Sequence, residues 1–367
     1  MSHCCCEHHV VELEEAVCAD DRYEKGDKGD KDDKDEKEQK ESKIIETQYD
    51  GQKVRWKVID GRYRIGMHVK LQGTLFRTVS RLAPAHRVLQ FYLHQVDIVK
   101  DTRGKRSRNL RLINISPADK WKTREWLDRW NHRFYIHSPV ELNFARLDGE
   151  WFLGKSMDMV RQLTKTVYDL PAGTVLHIGN GRRGGSLETV ARHVNDLHLP
   201  RNPHPRGDAL LYLENAAGKG NDLGVSWDDI RHLFEAIDRP VVGLCIDTQH
   251  LFAAGESDFA DHEAIARLFD SFEASGPKIR PIFHLNDSKT SHCSRKDRHE
   301  SIGQGKIWSA PLVIPKGERY VGATNNQAGR EGLNYLLERG SELGTDFILE
   351  TPTAEEDLRW LNYHFLP

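Results

Sequence analysis

The chain has 367 residues, of which 38% are hydrophobic and 30% charged. This length suits one large domain or two ordinary ones. Its longest apolar run, Val241–Ile246, is much shorter than the roughly 20 residues of a membrane-spanning helix, which excludes such a helix. The first thirty residues are charged and lack an apolar signal core, and the few cysteines do not suit a disulfide scaffold. We therefore expect an intracellular protein of the nucleus or cytoplasm that is not secreted.

Residues 1–60 are predicted to be a low-complexity, charged N-terminal extension. Within it, residues 20–43 consist almost entirely of Lys, Asp, Glu and Gly, which cannot bury enough surface to offset chain entropy. The adjacent cysteines Cys4, Cys5 and Cys6 lack the spacing of a closed zinc site and are also compatible with acylation. We expect this extension to be disordered, without a metal role. The remainder of the chain is net positive, which permits an anionic partner.

From Gly61 onwards, short apolar runs alternate with loops and amphipathic stretches. Helices are predicted at Trp227–Ile237, after a capping box of Ser226 and Asp229, and at Glu263–Phe272 and Gly332–Leu343. Eight strands alternating with helices over 61–367 indicate an α/β fold, a (β/α)8 TIM barrel, and a doubly wound open sheet is the alternative. The predicted strands are Tyr63–Met67, Val88–Leu93, Phe134–His137, Thr174–Ile178, Ala209–Glu214, Val241–Asp247, Ile279–Leu285 and Asp346–Glu350.

Metal-binding residue types recur at the carboxyl ends of these strands, the end at which barrel active sites lie. Carboxylates buried together at one rim would repel one another, and divalent cations relieve that repulsion. Histidines mixed with carboxylates suit zinc better than magnesium, and the set is large enough for two or three ions. The nine candidates are His137, His177, Glu214, Asp247, His250, His284, Asp297, His299 and Glu350.

Three segments carry a more specific signal. They read LENAAGKG, GLCIDTQHLFAAG and HLNDSKTSHCSRKDRHESIGQG, and they begin at Leu213, Gly243 and His284. They resemble the signature segments of the endonuclease IV family of apurinic/apyrimidinic (AP) endonucleases, and the resemblance extends from Tyr63 to Phe365. It implies a TIM barrel with three zinc ions that acts on double-stranded DNA. Such enzymes cleave the phosphodiester 5′ to an abasic site, leaving a 3′-hydroxyl and a 5′-deoxyribose phosphate, and they trim blocked 3′ ends.

The same resemblance implies which residues hold which ion. The first set is His137, His177 and Glu214. The second is Glu214, Asp247, His284 and Glu350, and the third is His250, Asp297 and His299. The implied chemistry is metal-assisted hydrolysis in base excision repair, in which a water activated between zinc ions attacks phosphorus. Glu214, which bridges two ions, and Glu350, which would orient or deprotonate the nucleophile, are the predicted catalytic residues.

Two segments depart from the family pattern. Family members commonly have an aromatic residue three positions after the third-strand histidine, where it enters the duplex. Here Ser138, Pro139 and Val140 follow His137, so the wedge is Val140 or comes from elsewhere. In addition, the loop after the fourth strand reads IGNGRRGGS where the family usually has a proline-glycine turn. The zinc ligands are unaffected, and the differences concern only the contact with DNA.

Basic residues near the rim are candidate phosphate contacts. Six positively charged residues fall within Lys100–Arg111, which would form a loop above the rim between the second and third strands. Others follow His177 or lie in the third signature segment. The predicted DNA contacts are Lys105, Arg106, Arg182, Arg183, Arg295, Lys296 and Arg298.

Two further functions remain open from the sequence. Sugar isomerases and epimerases of the same barrel superfamily hold Mn²⁺ or Mg²⁺ with rim histidines and carboxylates, but the third ligand set and the number of histidines favour the nuclease. The complete ligand set also argues against a catalytically inactive DNA-binding protein. The fold alone decides neither question. Because no assembly motif is evident, we expect a monomer, and the tail and divergent loops are compatible with a viral origin.

Overall fold

In a computed structural model of the chain, eight parallel strands close into a barrel. The structure describes residues 43–49, 52–58, 63–82, 87–100, 106–147, 150–200, 208–259, 262–308 and 327–364. The barrel strands are β3 (Arg64–His68), β4 (Val88–Tyr92), β7 (Arg133–His137), β8 (Ala172–His177), β9 (Leu211–Glu214), β10 (Val242–Asp247), β11 (Ile282–His284) and β14 (Asp346–Leu349). Each pairs in parallel with the next, and β14 closes the barrel against β3. The predicted TIM barrel is confirmed, and all eight predicted strands belong to it.

Helices surround the barrel and connect successive strands. The helix after β9 begins with the predicted capping box, in which the Ser226 side chain accepts from the Asp229 amide and Asp229 bonds back to the Ser226 amide. The helices are α1 (Leu75–Leu82), α2 (Pro117–Trp130), α3 (Glu150–Val167), α4 (Leu187–Asn195), α5 (Trp227–Ala236), α6 (Thr248–Ala254), α7 (His262–Ala274), α8 (Gln327–Glu342) and α9 (Ala354–His364). Among the described residues, none of these helices combines the length and apolar character that crossing a bilayer requires.

The barrel interior is filled by large apolar side chains below the site. Tyr135 and Tyr212 meet edge to face, with ring centroids 5.6 Å apart, and pack with Ile282 and Ile348 in one buried cluster. Separate apolar clusters fill the space between the barrel and its helices. The barrel interior below the rim, as far as the described residues show it, is therefore a packed core rather than a channel.

Among the described residues, three antiparallel strand pairs lie outside the barrel, and two of them are hairpins of seven-residue strands. β1 (Lys43–Tyr49) pairs with β2 (Gln52–Val58), inside the stretch 1–60 that was predicted to be a disordered extension; residues 1–42 lie outside the described part of the chain. β5 (His94–Lys100) pairs with β6 (Arg106–Leu112) between the second and third barrel strands. Of the basic stretch Lys100–Arg111, predicted to be a loop, Lys100 and residues 106–111 belong to these strands, and the prediction was wrong there because cross-strand pairing was not considered; residues 101–105 lie outside the described part of the chain.

Candidate metal centre

The structure brings all nine predicted metal ligands to the carboxyl end of the barrel. His137, His177, Glu214, Asp247 and His284 are the last residues of their strands, and the register places His177 beside Glu214 and Asp247 beside His284. Glu350 directly follows β14, and His250 lies one helical turn beyond Asp247 on α6. Asp297 and His299 come from the segment between β12 (Asp287–Ser288) and β13 (His299–Glu300), which pair with each other.

The first group of donors surrounds one carboxylate oxygen of Glu214. His137 Nε2 lies 3.3 Å and His177 Nε2 3.6 Å from Glu214 Oε2. Donor atoms of all three residues lie within 4.8 Å of one another, so a single ion could be shared by them. The His137 and Glu214 side chains are almost completely buried, and that of His177 is 30% exposed. This side of the group is open to solvent.

The second group shares Glu214 through its other oxygen. His284 Nδ1 lies 3.1 Å from Glu214 Oε1, 3.2 Å from Glu350 Oε2 and 3.9 Å from Asp247 Oδ2. Donor atoms of these four residues also fall within 4.8 Å of one another. Because Glu214 belongs to both groups, its carboxylate has the position of a bridge between two ions. Cys245 lies beside this group, with its sulfur within 4.8 Å of donor atoms of Glu214 and His284, and burial raises the pKa of its thiol to about 12.

The third group lies on the α6 side of the rim. Asp297 Oδ1 is 3.5 Å from His250 Nε2 and 3.6 Å from His299 Nε2. His299 Nε2 is also 3.5 Å from Asp247 Oδ2, yet this buried nitrogen has no hydrogen-bond partner. A buried polar atom without a partner is costly. The donor atoms that fall within 4.8 Å of one another here are those of Asp247, His250 and His299, with Asp297 beside them, and an ion held at this place would satisfy the His299 nitrogen.

Three of the imidazole rings are oriented by hydrogen bonds from Nδ1 to backbone carbonyls. His137 Nδ1 bonds the Ser138 carbonyl at 2.7 Å, His250 Nδ1 the Asn215 carbonyl at 2.9 Å and His299 Nδ1 the Glu350 carbonyl at 3.2 Å. A carbonyl only accepts, so each Nδ1 donates, and Nε2 is the ring nitrogen that faces the carboxylates and would be free to bind an ion once its own proton is lost. This is the arrangement of metal-binding histidines, in which the outer nitrogen fixes the tautomer.

The buried charges of the cluster perturb one another strongly. Burial raises the pKa of Glu214, but His177 and His284 outweigh it and hold that pKa well below its ordinary value. For His250, burial lowers the pKa, but Asp247 and Asp297 outweigh it and raise the pKa to about 10. Protons on the imidazoles thus compensate the carboxylates. Cations could replace those protons, and metal binding would then release them.

This donor set suits divalent metal ions such as zinc in the type of its ligand atoms and in their spacing. Imidazole nitrogens and carboxylate oxygens are zinc ligands, and each of the three groups offers at least three of them. The buried His299 Nε2 lacks a protein partner, and hydrogen bonds already orient the rings of His137, His250 and His299. These donors are therefore suitable for holding divalent cations.

A buried carboxylate organises the loop that supplies Asp297 and His299. Asp287 accepts hydrogen bonds from the backbone amides of five residues, at 2.7 to 3.4 Å, and burial raises its pKa to about 6. The donors are Ser288, Gly303, Gly305, Ile307 and Trp308. Both ends of the loop are tied to this one side chain, which therefore helps to set the position of the third donor group.

Sequence reasoning missed several residues that contact the cluster. His68 ends β3, and its Nδ1 lies 3.3 Å from Glu350 Oε1. It directly follows the first predicted strand, so the search for metal-binding residue types at strand ends could have found it. Gln90 bonds both Glu350 and His284, but a glutamine inside a strand carries no ligand signal. Lys219 Nζ lies 3.4 Å from Asp297 Oδ2. Tyr92 packs on His137, with ring centroids 5.3 Å apart.

The predicted DNA contacts lie on loops at the same end of the barrel where the structure describes them. Arg182 is exposed in a short 3₁₀ turn, Arg182–Gly184, after β8. Arg295, Lys296 and Arg298 are exposed between β12 and β13. Lys105 and the side chains of Arg106 and Arg183 lie outside the described part of the molecule. The acidic cluster is therefore bordered by exposed positive charge.

The barrel and its rim define the class of protein. A sequence model of the xylose isomerase-like TIM barrel family matches residues 97–313, and the chain belongs to this family. Endonuclease IV from Thermus thermophilus superposes with a TM-score of 0.60 at 24% identity, over 82% of this chain and 97% of that one. A D-tagatose 3-epimerase-like protein gives 0.50 at 16% identity, over 82% and 94%. These two likenesses show the fold alone.

Within this class, the chain belongs to the endonuclease IV family. The probable endonuclease 4 of Symbiobacterium thermophilum is 30% identical over 301 residues, which cover 80% of this chain and 94% of the relative. The probable endonuclease 4 of Carboxydothermus hydrogenoformans is 29% identical over 303 residues, covering 80% and 93%. The resemblance carried by the three signature segments is thereby confirmed.

Proposed function

We propose that this protein is a zinc-dependent AP endonuclease of base excision repair. It hydrolyses the phosphodiester 5′ to an abasic site in double-stranded DNA, leaves a 3′-hydroxyl and a 5′-deoxyribose phosphate, and trims blocked 3′ ends. The observation that carries this proposal is the convergence of nine donors, in three groups joined by Glu214 and Asp247, on one rim of the barrel. The names of its relatives, probable endonuclease 4, support the same activity.

The three donor groups are the proposed zinc sites. Zinc bound there supplies Lewis-acid polarisation of the phosphate and activates a water near neutral pH. The residues that hold the three ions are His137, His177 and Glu214; Glu214, Asp247, His284 and Glu350; and His250, Asp297 and His299.

Glu350 is the proposed general base. Its side chain is 15% exposed, whereas those of Glu214 and Asp247 are 1% and 0% exposed. One oxygen bonds Gln90 Nε2 at 2.5 Å, and the other faces His284. A carboxylate held in this way at the open side of the cluster can take the proton of the attacking water and orient that water towards phosphorus.

Exposed basic side chains around the rim are the proposed phosphate contacts. Arg182, Arg295, Lys296 and Arg298 border the acidic cluster, and Lys105, Arg106 and Arg183 extend the same set in sequence. Such contacts position the duplex without reading its sequence. A backbone phosphate can thus approach the donor groups although the cluster itself is rich in carboxylates.

Exposed apolar side chains near the mouth are the proposed replacement for the aromatic wedge. Val140, on the loop after β7, is 58% exposed, and Val96 and Ile98 on β5 are 41% and 66% exposed. Apolar side chains inserted between bases can open a duplex at a weak step, and an abasic site is such a step. The β5–β6 hairpin also carries Arg108 and Arg111, which gives it the charge to follow the backbone.

The direct experiment is incision of a duplex with one synthetic abasic site by zinc-loaded protein. We expect a single cut immediately 5′ to the site, a product that a polymerase extends from its 3′-hydroxyl, loss of activity on chelation and recovery with zinc. An intact abasic strand after incubation with loaded protein would refute the proposal. Binding without incision would indicate an inactive DNA-binding protein, and isomerisation of sugars with Mn²⁺ would indicate the isomerase or epimerase alternative.

A further inference from the structure

His284 is held differently from the other oriented histidines of the centre. His137, His250 and His299 each turn Nδ1 to a backbone carbonyl and Nε2 to the carboxylates. His284 is reversed, because its Nδ1 faces the carboxylates of Glu214 and Glu350 while its Nε2 lies 3.0 Å from the side-chain oxygen of Gln90. The outer partner of His284 is therefore a side chain, and that side chain can be changed without altering the backbone.

Chemistry fixes the orientation of the Gln90 amide. Its nitrogen lies 2.5 Å from Glu350 Oε1, and an ionised carboxylate only accepts hydrogen bonds, so the amide NH₂ must face Glu350. Its oxygen consequently faces His284 Nε2, which must donate. Because Nε2 is occupied by Gln90, Nδ1 is the nitrogen of His284 that faces Glu214 and Glu350 and that would bind an ion of the second donor group. One amide thus sets both the tautomer of His284 and the position of the Glu350 carboxylate.

The barrel register brings these groups together. Gln90 lies in β4, paired with His68 of β3 on one side and with Tyr135 of β7 on the other, and it is completely buried. Its nitrogen is also 3.1 Å from His68 Nδ1, which itself lies 3.3 Å from Glu350 Oε1. The amide is too deeply buried to touch DNA and has no ligand atom of its own in a donor group. Gln90 can therefore affect the metal centre only through the ligands that it contacts, His284 and Glu350.

We propose that Gln90 is a positioning residue, which holds His284 in the Nε2-protonated tautomer and holds Glu350 against the second zinc site. This inference rests on the zinc sites of the proposed function and adds to them a residue outside the ligand set. Outer partners of metal ligands typically contribute about 10- to 100-fold in metal affinity or activity. Gln90 has two ligands to orient, so the loss should fall in that range.

The test compares Gln90→Leu and Gln90→Glu with the full-length protein in zinc competition against a chromophoric chelator. Leu removes both bonds, whereas Glu keeps an acceptor for His284 and places a second carboxylate against Glu350. We expect zinc affinity about 10- to 100-fold weaker in both variants, a reduced kcat on abasic DNA and an unchanged KM for DNA. Thr174→Val, a near-isosteric change at another buried polar residue of the barrel, is the matched control with unchanged zinc affinity.

Zinc bound with wild-type affinity and stoichiometry by Gln90→Leu would overturn the proposal. Thermal unfolding of the metal-free variants separates this outcome from misfolding. A second readout needs no variant at Gln90: ring ¹⁵N spectra of zinc-loaded protein should show His284 protonated at Nε2, and protonation at Nδ1 would contradict the inference. Zinc competition and the ring ¹⁵N spectra do not use DNA, so a wild-type protein that fails to incise abasic DNA would refute the proposed function without deciding the role of Gln90.

Discussion

Among the carboxylates of the second donor group, Glu350 alone reaches the mouth of the barrel. Its exposed fraction is 15%, against 1% for Glu214 and 0% for Asp247. The buried pair can hold ions and compensate imidazole charge, but a water that attacks phosphorus must enter from the open side. Glu350 is therefore the carboxylate suited to accept a proton from that water.

Replacing Glu350 by Gln should preserve the fold and lower turnover on abasic DNA by about 10²- to 10⁴-fold, because the amide cannot accept the proton. Single-turnover incision by zinc-loaded protein measures this effect. Glu235→Gln, an exposed change on α5, is the control and should leave the rate unchanged. If the Glu350 variant turns over within about twofold of the wild-type rate, Glu350 is not the general base.

At the level of single residues, site residues with distinctive chemistry could be predicted from the sequence, and those with ordinary chemistry could not. The nine predicted ligands could be located because histidines and carboxylates at strand ends are conspicuous in an apolar strand pattern. Gln90 could not, because its importance depends on how the strands β3 and β4 are placed relative to those that carry His284 and Glu350. Only the closed barrel supplies that information.

The segment between β11 and α8 shows how one element is held in place for the centre. Asp287 Oδ2 accepts from the amides of Gly303, Gly305 and Trp308, and Oδ1 accepts from Ser288 and Ile307. The backbone approaches so closely that a Cβ on Gly305 would lie 2.2 Å from Asp287 Oδ1. Both side-chain oxygens must accept hydrogen bonds, so only a carboxylate can pair with all five backbone amides.

Replacing Asp287 by Asn should loosen this loop, because the amide NH₂ faces backbone donors and leaves them unpaired, at about 1–3 kcal/mol for each buried group. We expect faster trypsin cleavage at Arg295, Lys296 and Arg298, with loss of the zinc ion held by Asp297 and His299. Mass spectrometry of the fragments and zinc content measure the two effects. Asp270→Asn, exposed on α7, is the control, and equal cleavage rates in the two variants would contradict this role for Asp287.

At the level of elements, the barrel strands were predictable and the two hairpins were not. Each barrel strand is a short apolar run, because its neighbours and the surrounding helices bury both faces. The hairpin strands β5 and β6 are polar and carry exposed residues such as Ile98, so they lack that signature. Their stability depends on pairing between distant positions, for example Val96 with Leu110. A pattern read along one strand does not contain this information.

For the molecule as a whole, the metal centre and a stabilising ion-pair network lie at opposite ends of the barrel. Opposite the metal centre, Asp346 at the start of β14 bonds Arg64 Nε at 2.5 Å and the Tyr135 hydroxyl at 2.6 Å, and it lies 3.4 Å from Arg133. Burial raises the pKa of Asp346, but Arg64 and Arg133 outweigh burial and lower that pKa. This network joins β3, β7 and β14 at the floor of the barrel.

Asp346→Asn should lower the free energy of unfolding by about 3 kcal/mol at pH 7, because Arg64 loses its carboxylate partner, whereas Arg133 keeps Asp208 at 3.2 Å. The folded pKa of Asp346 lies below its ordinary value of 3.8. Its contribution is therefore present above that value and is lost as the pH falls through the folded pKa. Urea unfolding of metal-free protein between pH 7 and acid should show the difference between wild type and variant shrinking below about pH 4. A difference independent of pH would contradict this assignment.

The most direct test of the central claim is anomalous X-ray diffraction at the zinc edge from crystals of the zinc-loaded protein. The account predicts three peaks: one among His137, His177 and Glu214, one among Glu214, Asp247, His284 and Glu350, and one among His250, Asp297 and His299. A map without zinc at this rim, or with ions bound by other side chains, would contradict it.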